Sequence, residues 1–272
     1  MLADTRPVQV DKPGSSVALY QYADLAVQTT PLNELTDPEV IALGNPTATT
    51  ITLNEYGAAT ISSIKVRNFA FSDIDRNQAD QVAYNMRNTL DALVGAKLIL
   101  GDNVLRGGDA TDTDELTTGD VITSTLARKA VRNLRSGAAP GRAGELYGAY
   151  VHPDVAYDLK AESGSGSWRE AHVSAAPDLI WPNMIGQYEG AFWVETARMP
   201  TALDGATSAK VYRSVIVGKE ALAEAVAIEP HVEVGVVPDR LNRFHPMGWY
   251  GLLGWSLFRQ ASIWRLETTA TA

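Results

Sequence analysis

The stretch Asp239-Arg240-Leu241-Asn242-Arg243-Phe244-His245-Pro246-Met247-Gly248-Trp249-Tyr250-Gly251-Leu252-Leu253-Gly254-Trp255 continues as Ser256-Leu257-Phe258-Arg259-Gln260-Ala261-Ser262-Ile263-Trp264-Arg265-Leu266-Glu267 and decides how the rest of the chain is read. Half of the six tryptophans lie between residues 249 and 264, spaced by glycines. Trp and Tyr bring large buried area together with an N–H or O–H that must find a partner. Among so many apolar neighbours they indicate core or subunit packing rather than a platform for sugars or bases. The pattern predicts long strands at the centre of a sheet, in a building block rather than an enzyme.

Working outward, 272 residues with 45% hydrophobic content suffice for one large core or two modest ones. A net charge of −9 disfavours tight, non-specific nucleic-acid binding, which works through Lys and Arg on phosphates. Near DNA, such a protein contains it rather than grips it. The absence of cysteine removes disulfides, thiol catalysis and Cys-ligated zinc together. Residues Met1 to Pro7 lack the apolar core of a signal peptide. The most apolar segment, Pro246 to Phe258, is shorter than the about 20 residues a bilayer helix needs. A soluble chain without a membrane partner, made in a cytoplasm, is expected.

At the other end, Val17, Leu19, Gln21, Ala23, Leu25 and Val27 alternate, as do Thr47, Thr49, Ile51, Leu53 and Glu55. Period-two patterns rich in Val, Thr and Ile predict two strands. Pro31 to Pro38 and Leu43 to Pro46 form a turn-rich tip between them. A lone two-stranded arm is barely stable in water, and ordering each residue costs about 1–2 kcal/mol of backbone entropy. No third strand is evident nearby, so a neighbouring subunit is expected to cover the arm.

A long helix is predicted over Asp75–Leu100, with Val82, Met86, Leu90, Leu93, Val94 and Leu98 at steps of three and four. Ser72 or Asp73 caps its start, and Gly101-Asp102-Asn103 stops it. A second helix is predicted at about Asp120–Leu134, a strand at Leu146–Val151 and a helix near Val155–Ala161. Ser163-Gly164-Ser165-Gly166-Ser167 reads as a flexible tip, Ala191–Thr196 and Val211–Val217 as strands, and Gly218–Ala225 as a short helix or turn.

Chemical motifs are sought and not met. Gly218-Lys219 has Arg213 where a P-loop needs its first glycine. Asp109, Asp112, Asp114, Glu115 and Asp120 evoke calcium, yet counting from Asp112 puts Leu116 where an oxygen ligand belongs. His152, His172, His231 and His245 share no metal-ligand spacing, and no Gly-x-Ser-x-Gly elbow supports a triad. No residue is assigned a catalytic, cofactor-binding or metal-ligating role, and no cofactor is expected.

The segments Arg6-Pro7-Val8-Gln9-Val10-Asp11-Lys12-Pro13-Gly14, Leu53-Asn54-Glu55-Tyr56-Gly57, Val151-His152-Pro153-Asp154-Val155, Gly190-Ala191-Phe192-Trp193-Val194-Glu195-Thr196 and Val217-Gly218-Lys219-Glu220-Ala221-Leu222, closed by Met247–Glu267, form an ordered series. In that order the chain resembles tailed-phage major capsid proteins, in the branch typified by N-four-type phages. The resemblance implies the Hong Kong 97-type capsid fold, an α+β architecture. Its expected parts are an N-terminal arm (1–13), an extended two-stranded E-loop (14–66), and a peripheral domain with a spine helix (67–118). An axial domain (119–225) and the return strands of the peripheral domain (226–272) follow. Family members often carry a longer extension before the segment resembling Arg6-Pro7.

The resemblance further implies self-assembly through pentamers and hexamers into an icosahedral shell around double-stranded DNA, enclosed without sequence-specific binding. The implied partners are other copies of the chain, with scaffolding, portal and decoration proteins. The implied location is the virion capsid, assembled in the host bacterial cytoplasm. An encapsulin-like compartment around a cargo enzyme shares the fold, and a two-domain enzyme with an unrecognised site is the remaining alternative.

The candidate subunit-interface residues are Val17, Leu19, Leu25, Leu32, Leu35, Ile51, Leu53 and Tyr56, and Leu53→Asp is expected to give a folded monomer that fails to assemble. Some shells of this type cross-link covalently through a lysine on the extended loop. Here the tip from Pro31 to Pro46 has none, the nearest being Lys12 and Lys65, so a shell held by buried area alone is expected.

Overall fold

The computed structural model of the chain describes residues 4–7, 14–23, 25–35, 37, 40–163, 168, 184–235 and 241–271. Most of the predicted glycine-serine tip lies outside them, as does much of the 1–13 arm. In chain order the elements are β1 (Asp4–Pro7), β2 (Ser16–Gln21), β3 (Thr47–Thr52), β4 (Asn54–Ser63), α1 (Ile64–Phe69), α2 (Ile74–Leu98), β5 (Val104–Arg106) and α3 (Ser124–Ser136). There follow β6 (Tyr147–Val151), α4 (Pro153–Ala161), β7 (Met184–Tyr188), β8 (Ala191–Glu195), β9 (Thr201–Ala202), β10 (Val211–Val217), β11 (Leu222–Val234), β12 (Phe244–Leu257) and β13 (Ile263–Thr268). A four-stranded sheet runs β1-β11-β12-β4, a seven-stranded one runs β5-β13-β10-β6-β8-β7 with β9 on β10, and β2-β3 stand as a hairpin.

The Trp-rich run supplies β12, an inner strand of 14 residues. Trp249, Leu253 and Trp255, at period two, are buried on one face. Both indoles find acceptors: Trp249 Nε1 donates to Asn85 Oδ1 at 2.9 Å and Trp255 Nε1 to Glu224 Oε1 at 3.0 Å. Leu90, Leu93, Val94 and Leu98 of α2 pack in the same cluster. The opposite face of β12 meets the base of the hairpin. There Gly254 is required, because a Cβ would lie 2.1 Å from the Thr52 carbonyl oxygen. The run does not stay in one sheet: it turns over Gln260–Ser262, and Trp264 enters the seven-stranded sheet on β13.

Helix α2 starts where capping chemistry directs. The Asp73 side chain accepts from the Arg76 N–H, and Lys97 sits in the last turn. Its 25 residues make a rod of about 38 Å. Helix α3 begins later than expected, at Ser124, because Thr123 rather than an earlier acid provides the cap.

The seven-stranded sheet carries the main core. All five residues of β6 are buried, in keeping with helices on this sheet and near-continuous apolar strands. Trp193 is fully buried, donates through Nε1 to the Tyr188 carbonyl at 3.0 Å, and meets Trp168 edge-on at 6.1 Å. Glu267, 1% exposed, lies 3.0 Å from Arg265 Nε, 3.3 Å from Arg106 Nε and 3.5 Å from Arg213 Nε. The Thr113 hydroxyl donates to it at 2.7 Å. These contacts tie β5, β10 and β13 at one point. Arg265 also donates to the Ile99 carbonyl, joining this knot to the end of α2.

Of the short helix or turn expected over 218–225, the turn forms, at Lys219-Glu220, and leads into β11, whose pairing with β12 overrides the helix propensity of its alanines. One expectation is corrected: the alternating pattern from Val17 to Val27 is a strand only to Gln21, where the β2–β3 ladder ends. Strands β5 and β13 pair within the seven-stranded sheet alongside β6, β7, β8 and β10.

Candidate subunit interfaces

The hairpin is anchored at its base and bare beyond it. Ile51 (0% exposed) and Leu53 (7%) are buried against Ala223 and Ala225 of β11, with Val17, Leu19, Leu252 and Phe258 packed around them. The Leu53 N–H donates to the Ser15 carbonyl at 2.9 Å, closing the base. From Tyr22 to Pro46 the described residues form neither helix nor strand. Their apolar side chains point to solvent: Val27 is 87% exposed, Leu32 78%, Leu35 95% and Val40 90%.

This divides the eight predicted interface residues. Leu25, Leu32 and Leu35 are exposed and open to a partner. Ile51 and Leu53 are buried within the chain and Val17 and Leu19 are half-buried beside them, because the hairpin base lies on its own four-stranded sheet. Tyr56 is half-buried and stacks obliquely on Trp255 at 6.2 Å. Leu53→Asp would therefore put a charge into this chain's own packing, so a stably folded monomer is not its expected outcome.

A second apolar surface escaped the sequence reading. Phe69 and Phe71 are strongly exposed on the connection from α1 to α2, with Ile64 and Val66 half or more than a third bare beside them. This connection leaves β4 beside Phe244, at the start of β12, whereas the hairpin base packs near that strand's other end. Along 14 residues the two surfaces are separated by roughly 45 Å of strand. The signal was present as Asn68-Phe69-Ala70-Phe71-Ser72, two aromatics at strand spacing before a helix cap. Exposed apolar surface of this kind marks protein contact sites.

Polar chemistry is sparse. Among the described residues no three His, Asp or Glu side chains converge as metal ligands, and no helix is long and apolar enough to cross a membrane. Hydrogen bonds from the Thr111 backbone and hydroxyl and the Asp112 backbone hold the Glu115 carboxyl below its usual range. Burial pushes the His152 imidazole down, with Asp154 opposing and Lys210 assisting. His152 serves as the cap of α4, accepting from the Asp154 N–H at 3.3 Å, so its role is structural.

No protein-family model matches the chain, and no curated protein matches it. Solved structures do. The capsid of Ralstonia phage GP4 superposes with a TM-score of 0.81 at 15% identity, covering 100% of this chain and 88% of that one. The capsid of cyanophage P-SCSP1u gives 0.71 at 13%, covering 99% and 87%. The capsid unit of cyanophage Pam1 gives 0.70 at 14%, covering 97% and 87%. The chain has the Hong Kong 97-type capsid fold. The similarity spans nearly the full length of both partners in each pair, so the extended loop, the long helix and both sheets all belong to it.

Proposed function

We propose that the chain is a major capsid protein that assembles with copies of itself, through pentamers and hexamers, into an icosahedral shell enclosing a phage genome of double-stranded DNA. The observation that carries this is the loop from Tyr22 to Pro46, whose described residues expose Val27, Leu32, Leu35 and Val40 together with neither helix nor strand to hold them. Apolar burial is worth about 25 cal/mol per Å2. Obligate interfaces run to about 2,000 Å2 and more, enough to offset the ordering of such a loop. The capsid fold supports the reading.

Contacts in such a shell join unlike surfaces, so that rotation closes rings. Several contacts per subunit act together, and avidity holds what single contacts would release. The role is structural, without catalysis. Scaffolding, portal and decoration proteins are the expected further partners, and the virion, assembled in a bacterial cytoplasm, is the expected location. No observation favours the cargo-enzyme compartment over this reading.

Light scattering and negative-stain microscopy of the purified chain test it. Closed particles of megadalton size are expected, and a small, fixed oligomer would overturn the reading. Because the tip lacks lysine, boiling the particles in detergent is expected to release monomers of 29.3 kDa. Covalent ladders would contradict the absence of cross-links.

A further inference from the structure

Helix α3 turns a basic face to solvent. Arg128, Lys129, Arg132 and Arg135 are exposed, whereas Ala127, Ala130, Val131 and Leu134 are buried. Steps of four and three set Arg128, Arg132 and Arg135 in one row. The row borders an open groove of about 560 Å3 whose far wall is Glu189 and Gly190, the turn between β7 and β8. Arg128 pairs with Glu189 at 2.8 Å. Gly190, at φ 78°, lets the Arg135 guanidinium lie against the backbone, where a Cβ would stand 2.7 Å from Nη2. Among the described residues, Glu189 is the one carboxylate lining this groove, against three arginines. The groove is thus positive on a chain of net charge −9.

The complementary charge sits on the segment beyond β5. Helix α3 packs on β13 and β5, but the groove's far wall is the turn after β7, the other edge strand, five steps along the path from β5, or roughly 24 Å at about 4.8 Å per strand. The segment that follows β5 exposes Asp109, Asp112, Asp114 and Glu115. Among these, Asp112 alone reaches a cation, Arg106, at a loose 3.5 Å. A ring of identical subunits sets one edge of each against a different edge of the next. Such a ring needs two unlike surfaces that suit each other.

We propose that the α3 groove of one copy receives the acidic 109–115 segment of the adjacent copy, forming a charge latch around each ring. The inference rests on the shell reading above. Like-charge contacts between wrongly docked edges are disfavoured by the same arrangement, so the latch sets register and direction as well as attraction. A nucleic-acid backbone also suits a row of arginines. The second copy is favoured because it accounts for both charged surfaces, whereas a phosphate chain accounts for one.

Charge reversal tests the latch. Arg132→Glu with Arg135→Glu, and separately Asp109→Arg with Asp114→Arg, change only exposed positions, and circular-dichroism melting verifies that each chain folds. Each pair is expected to cut the yield of rings and particles at least tenfold, as read by light scattering and negative stain. All four changes in one chain restore complementarity with the signs exchanged, and assembly is expected to return to near the parent yield. Normal assembly of either pair, or a folded four-fold variant that stays defective, would overturn the latch. So would an arginine pair that assembles normally but loses co-purifying nucleic acid, which would reassign the groove to a phosphate backbone. Parent chain that forms no particles would instead bring down the shell reading itself.

Discussion

The seven-stranded sheet and the extended loop belong to one chain and meet solvent in opposite ways. The sheet buries every residue of β6, shields Trp193 completely and encloses Glu267 among three arginines. The loop, beyond its anchored base, leaves Leu35 95% exposed with neither helix nor strand to hold it. The difference separates what the chain does for itself from what it leaves for neighbours. Positions that the subunit buries and positions that it leaves exposed lie in different places, and the hairpin contains the border: Leu53 on one side, Leu35 on the other.

The largest effect is expected inside the sheet. Glu267→Ala removes the buried carboxylate shared by Arg106, Arg213 and Arg265, leaving Arg106 with Asp112 and Arg213 with Asp204 nearer solvent, and breaking such a buried network costs about 3–5 kcal/mol. Denaturant unfolding of the subunit should show that loss. An unchanged midpoint would break the claim that the sheet is self-sufficient through this knot.

The two sides of the hairpin give the next contrast. Leu53→Ala removes packing at the buried base and should lower subunit stability by about 2–3 kcal/mol. Leu35→Asp changes an exposed position and should alter subunit stability by no more than about 0.5 kcal/mol. It should nonetheless cut particle yield at least tenfold, because it sets a charge where apolar contact is required. Equal effects of the two on stability, or normal shells from Leu35→Asp, would erase the border.

The smallest expected effect is on pH dependence. Burial depresses the folded-state pKa of His152 below its ordinary 6.5. The native state therefore favours the neutral ring, and the unfolded chain binds more protons at mildly acidic pH. This contribution is complete above about pH 6.5 and is lost as pH falls toward and through the depressed value. His152→Asn keeps a capping acceptor for Asp154 and should flatten the fall in stability between about pH 7 and 5. An unchanged slope would assign the fall to other groups.

Much of the fold was legible because strong local signals agreed with tertiary packing. The spacing from Val82 to Leu98 gave α2 within a residue or two of its ends, and the aromatic run gave the long inner strand β12. What escaped depends on contacts between distant segments. The alanines after Leu222 carry helix propensity, and only pairing with β12 makes them a strand. Nothing local in Ile263–Thr268 says that it leaves the sheet of β12 for that of β10. The hairpin was half legible for the same reason. Alternation marked Ile51 and Leu53 as apolar and due for burial, but it does not specify whose surface buries them. The exposed arginines of α3 carry no sequence signal of their own, because a basic helix face is ordinarily just solvated, and the acidic segment after β5 is joined to it only through the folded sheet.

Amide hydrogen exchange, compared between dilute free subunits and purified particles, tests the division most directly. In free subunits, residues 25–35 should exchange fast while β6 and β10 stay protected. In particles, the same loop amides should slow by about 100-fold or more, as when local opening becomes coupled to a larger unit. Loop amides already protected in the lone subunit, or equally fast after assembly, would contradict the claim that neighbouring copies complete this part of the fold.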